Sequence, residues 1–77
     1  MKEHPISLAR ALLQHIRQLE KDRDIEAKRL TFQKGELKKD PANFGLQQFV
    51  EALKDTVEDY ERMIARARKI IQKVDSD

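Results

Sequence analysis

The sequence predicts an all-α fold: an antiparallel two-helix hairpin, coiled-coil-like, that dimerises into a four-helix bundle. Three observations carry this expectation. Helix breakers are scarce, with two Gly and two Pro in 77 residues, and Gly35, Pro41 and Gly45 are gathered in the middle of the chain. The stretches on either side are rich in Ala, Leu, Arg, Lys, Gln and Glu, the strong helix formers. A seven-residue apolar repeat then runs the length of the second stretch. The chain reads as a single helical-hairpin domain over 1–77. Helix 1 covers about 6–38, a turn lies within about 39–45, helix 2 spans about 41–74, and 75–77 form a frayed tail.

The first helix is expected to start between Pro5 and Leu8. Pro5 suits a first-turn position, where its missing N–H has no helical partner to lose. Ser7 is an alternative N-cap, with Ile6 before it as half of a hydrophobic staple. Leu8, Leu12, Ile16 and Leu19 make one face, which Ala27, Leu30 and Leu37 continue. Eight of the ten residues from Glu20 to Arg29 are charged, so the stripe weakens in the middle. Arg23 stands where an apolar residue is wanted. It reads as a side chain that lies along the seam edge to reach Asp59 or Glu61, or as a polar residue that fixes register. Gly35 costs only about 1 kcal/mol inside a helix, so the helix is expected to pass through it.

The turn carries the clearest local signal. Asp40 ahead of Pro41 pairs an N-cap carboxylate with a proline at the first helical position. Asn43 is a second candidate cap, which would leave Asp40 to Gly45 as loop. A fold-back at Asp40 brings Leu30 to Val50, Ala27 to Leu53 and Ile16 to Ile64. Phe44 and Phe49 then plug the closed end of the hairpin.

In the second helix Val50, Val57, Ile64 and Ile71 recur every seven residues. Leu46, Leu53, Tyr60, Ala67 and Val74 do the same, offset by three. A third series, Phe49, Thr56, Met63 and Ile70, lies beside them, so the stripe is wider than a two-stranded seam needs. Leu13, Phe32, Phe49, Met63 and Ile70 therefore require a further surface. This predicts a homo-oligomer, most simply a dimer, or a partner protein.

Composition excludes much chemistry. With no Cys there is no disulfide, zinc-thiolate site or thiol nucleophile, and a reducing compartment fits. The longest uncharged run is the ten residues from Pro41 to Val50, too short to span a membrane. The N-terminal segment lacks the apolar core of a signal peptide, so a cytoplasmic protein is expected. Ser7 and Ser76 are the only serines. The residues three and four away from His15 are Ala11, Leu12, Gln18 and Leu19, none of them a partner for a general base or metal ligand. His4 and Glu3 lie at the chain end. The carboxylates form no Glu-x-x-His motif. No catalytic residue, cofactor or metal is expected, and the chain is not expected to be an enzyme.

The 16 Lys/Arg and 14 Asp/Glu leave a net charge of +2, and their interleaving is that of solvated helix surfaces. One exception is a basic ridge at Arg62, Arg66, Lys69 and Lys73, spaced 4, 3, 4, with Arg68 nearby. Such a ridge can follow phosphates, and a nucleic-acid-binding hairpin dimer is the alternative reading. No aromatic residue interleaves it, so base stacking is not indicated.

Two resemblances of layout follow. A hairpin with a single turn and an expected dimer is similar to the plasmid-encoded RNA-binding hairpin that forms a four-helix bundle. Asp40-Pro41 followed by Gln47-Gln48, an apolar heptad and Ile70-Ile71 resembles the small E-type co-chaperones of type III secretion, helical hairpins that hold a needle subunit with a second chaperone. Neither assigns a functional residue. The sequence itself points to a non-enzymatic protein–protein interaction module: a small cytoplasmic adaptor, chaperone or assembly factor acting through apolar helix faces.

Overall fold

The turn sets the geometry of everything else. In the computed structural model, which describes residues 5–76 and the side chains of 8–73, helix α1 runs Pro5–Lys39 and helix α2 runs Phe44–Ser76. The two pack against each other along an elongated body of 60 × 15 × 15 Å. Two helices with no strand among the described residues make an all-α hairpin.

Asn43, rather than Asp40, caps α2. Its side-chain Oδ1 accepts the Leu46 N–H at 3.0 Å, and its carbonyl accepts the Gln47 N–H at 3.0 Å. Those are the two marks of an N-cap residue. Asp40 supports the cap, its Oδ2 accepting from Asn43 Nδ2 at 3.3 Å. Gln47 Nε2 donates back to the Pro41 carbonyl at 2.7 Å. Asp40 also closes α1, its N–H donating to the carbonyls of Glu36 and Leu37 at 3.2 and 3.1 Å. Gly35 lies inside α1 without a positive φ. Because α1 opens at Pro5, Ser7 falls within the helix rather than at its cap. At the other end α2 continues through Ser76, past the stop expected at Val74. Glu3, His4 and Asp77 lie outside the described residues.

Moving the start of α2 from Pro41 to Phe44 lengthens the connection by three residues and shifts the register by about one turn. Burial on α1 recurs at Leu12, Ile16, Leu19, Arg23, Glu26, Leu30, Gln33 and Leu37. On α2 it recurs at Leu46, Val50, Leu53, Val57, Tyr60, Ile64, Ala67 and Ile71. Both sets alternate steps of three and four, the heptad seam of a coiled coil. Counted outward from the turn, Leu30 takes the level of Leu53, Ile16 that of Ala67, and Arg23 that of Tyr60. The expected levels of Leu30 with Val50 and Ile16 with Ile64 are thus displaced. Ile16 and Ile64 nevertheless meet in one core, as expected, because Ile16, Leu19, Ile64 and Ala67 form one buried cluster with Tyr60 and Ile71 packed against it.

The seam is apolar at both ends and polar at its waist. Val50 and Leu53 are buried toward the turn, and the Ile16 cluster lies toward the open end. Between them Arg23 and Glu26 occupy seam levels with side chains only 30% and 21% exposed. Arg23 does not reach across to Asp59 or Glu61. It donates to its own neighbour Asp24 at 3.0 and 3.2 Å, while Glu26 pairs with Arg29 at 3.3 Å on the same helix.

Candidate interaction face

The elongated hairpin has two broad sides, and one ion pair tells them apart. Arg68 bonds Glu20 across the helices. In each helix that residue directly follows a seam residue, Ala67 or Leu19. Flanks that follow the seam therefore line up on one side of the hairpin, and flanks that precede it line up on the other.

The second side is the apolar one. Phe49, Met63 and Ile70 immediately precede the seam residues Val50, Ile64 and Ile71, and all three are exposed. Thr56 completes their row. Its hydroxyl donates to the Ala52 carbonyl at 3.0 Å within the helix, so that donor does not depend on solvent. From α1 the same side receives Leu8, which precedes Ala9, a half-buried residue three before Leu12 that extends the same seam. It also receives Ile25 and Phe32, each one helical turn beyond the flanking residues Asp22 and Arg29. These three are exposed as well. Phe32 and Phe49 share a level near the turn, and Ile70 and Leu8 lie toward the open end.

The sequence-derived face thus divides. Phe32, Phe49, Met63 and Ile70 share one side. Leu13, though exposed, lies on the other, lining a shallow hollow with Arg17, Glu20, Arg68 and Ile71. Ile25 belongs to the apolar side and falls off the expected stripe of helix 1, whereas Leu8, expected on that stripe, is exposed on this side instead. Phe44 and Phe49 do not plug the turn: both are exposed.

Arg62, Arg66, Lys69 and Lys73 are all exposed. Arg62 is engaged by Asp59 at 3.0 Å and Glu58 at 3.8 Å. Among the described residues Arg66, Lys69 and Lys73 have no carboxylate within ion-pair distance. His15 is exposed, and no group of three or more His, Cys, Asp or Glu that could hold a metal occurs among the described residues. No described helix is long and apolar enough to cross a membrane. Comparison with protein-family models, with curated proteins and with solved structures returns no match.

Proposed function

We propose that this chain is a non-enzymatic protein–protein interaction module, a small cytoplasmic adaptor, chaperone or assembly factor that works through one broad side of the hairpin. The observation that carries the reading is the contrast between core and surface. Among the described residues six apolar side chains are buried along the seam, whereas six large ones, Leu8, Ile25, Phe32, Phe49, Met63 and Ile70, are exposed on a single side. Large apolar residues gathered in the open on one side of a hairpin mark a site that another chain covers. The cytoplasmic setting rests on the absence of cysteine, which fits a reducing compartment.

The test is to purify the protein from its native cell and compare it with two variants. The wild type is expected to sediment as an oligomer or with a stoichiometric partner protein. Phe49→Ser/Met63→Ser is expected to lose that association and keep its helicity, while Leu13→Ser, on the other side, keeps both. A folded wild-type monomer that carries no partner overturns the proposal. A needle-type subunit held jointly with a second chaperone would support the co-chaperone reading.

Arg66, Lys69 and Lys73, which have no carboxylate within ion-pair distance among the described residues, favour a second reading, a nucleic-acid-binding dimer. Titration against RNA and duplex DNA separates the two. Binding with a steep salt slope that Arg66→Glu abolishes supports the second reading, and absence of binding at low salt removes it.

A further inference from the structure

We infer that the open end of the hairpin grips the phosphate backbone of duplex nucleic acid with cations from both helices. This deepens the nucleic-acid reading above, on which it rests, and adds α1 to the grip.

The net charge of +2 conceals a division along the chain. From Glu20 to Glu61 there are eight Lys/Arg and eleven Asp/Glu. The two outer segments, 1–19 and 62–77, hold eight Lys/Arg against three Asp/Glu. No carboxylate at all falls between Pro5 and Leu19, or between Arg62 and Val74. The hairpin brings those two stretches side by side at its open end, where Ile16 and Leu19 share one buried cluster with Ile64 and Ala67. Seven exposed cations meet there, two from α1 and five from α2. The series on α2 starts eighteen residues beyond Phe44, about 27 Å from the turn.

These cations form a continuous arc. Arg10 and Arg17 each follow a seam residue, Ala9 or Ile16, and so lie on the side of Leu13 and Glu20. Arg17 lines the hollow on that side together with Arg68 from the other helix. Arg62, Arg66, Lys69 and Lys73 carry the arc on over the outer face of α2. Arg68 is engaged by Glu20, and Arg62 by Glu58 and Asp59. Among the described residues the other five have no carboxylate within ion-pair distance, so a phosphate displaces no internal partner of theirs.

Three features point to a duplex backbone. Cations clustered without acids are the footprint of a polyanion site. Neither stretch contains Phe, Tyr or Trp, so nothing there offers a stacking platform to the bases of a single strand. The hairpin is 15 Å across, broader than the roughly 12 Å major groove, so its end rests on phosphates instead of reading base edges. An anionic membrane fits less well. Between the cations on the outer face of α2 stand Ala65 and Gln72, whereas seating in a lipid surface needs large apolar side chains.

The test is a salt titration of binding to duplex DNA, duplex RNA and the separated strands of each, in two unrelated sequences. Duplex is expected to bind more tightly than its own strands whatever the sequence, and the DNA and RNA arms show which duplex is taken. Five phosphate contacts give a slope of about −4.5 in log K against log salt on duplex DNA, a loss of roughly 500-fold between about 50 and 200 mM. Arg10→Gln/Arg17→Gln is expected to make the slope shallower by about 2. Lys34→Gln/Lys38→Gln, which removes the same charge near the turn, is expected to leave it unchanged. Gln keeps helix propensity close to that of Arg and Lys, and circular dichroism checks that both variants fold. If Arg66→Gln/Lys69→Gln/Lys73→Gln weakens binding and the α1 pair does not, the two-helix grip is overturned and the ridge reading stands. An equal loss from the pair near the turn overturns the placement at the open end. Tighter binding to single strands, or binding to phosphatidylserine vesicles and to no duplex, overturns the choice of partner. No binding to any nucleic acid at low salt overturns this inference and the nucleic-acid reading together.

Discussion

Arg23→Leu is expected to stabilise the hairpin by about 1 kcal/mol, and the figure follows from its place in the seam. Full burial of a leucine side chain contributes roughly 1.5–3 kcal/mol. The Arg23 side chain is 30% exposed, so leucine there realises about two-thirds of that, roughly 1–2 kcal/mol. Two losses are subtracted. The aliphatic stem of the arginine already covers part of the seam. Its bond to Asp24, whose side chain is 63% exposed, is a surface pair worth at most a few tenths. Leu and Arg have nearly equal helix propensity, so the backbone adds nothing. The assay is thermal unfolding followed by circular dichroism at one protein concentration for wild type and variants, since a midpoint moves with concentration wherever chains associate. A gain of about 1 kcal/mol corresponds to a rise of about 4–8 °C in Tm for a domain of this size. Arg62→Leu, on the exposed outer face of α2, is the control and is expected to leave Tm nearly unchanged. A lower Tm for Arg23→Leu would refute the reasoning, since Arg23 would then be making a contact stronger than its bond to Asp24. An equal rise for Arg62→Leu would refute it too, because seam position would no longer matter.

Three further substitutions test the rest of the fold. Ile64→Ala leaves a cavity in the buried cluster with Ile16, Leu19 and Ala67 and is expected to cost about 2–5 kcal/mol, read as a fall in urea midpoint at constant slope. Asn43→Ala removes the acceptor of the Leu46 N–H and is expected to cost about 1 kcal/mol, visible as faster amide exchange in the first turn of α2. Gly35→Ala is expected to stabilise by up to about 1 kcal/mol, since Gly35 is helical and an added Cβ meets nothing within 4 Å; a drop in Tm would show that the site needs glycine.

The hairpin itself was legible in the sequence because α2 repeats its apolar residues without a gap from Leu46 to Ile71, and because the breakers gather near one point. The register was not. Asp40-Pro41 and Asn43 are both good caps by composition, and only the hydrogen bonds of Asn43 to Leu46 and Gln47 decide between them. A three-residue difference there displaces every cross-helix level by a turn. The middle of α1 was misread for a related reason. A search for apolar residues skips Arg23 and Glu26 and lands on Ala27, whereas the backbone keeps its heptad phase through polar positions. The same skip hid Ile25, whose exposure is understandable only once Arg23 and Glu26 are known to face α2. The side that Phe49, Met63 and Ile70 share with Phe32 depends on which flanks meet across the helices, and the Glu20–Arg68 pair supplies that information.

The polar waist also bears on how the chain finds its fold. Contacts near the turn join residues close in sequence and close cheaply; those of the Ile16 cluster join the far ends and carry a larger loop-closure cost. A helical hairpin zips outward from its turn. This one crosses Arg23 and Glu26, where little is gained, before it collects the contacts of Ile16, Leu19, Ile64 and Ala67. The waist is therefore expected to separate two cooperative segments, one at the turn and one at the open end. Native-state amide exchange would report it as two groups of protected amides rather than one.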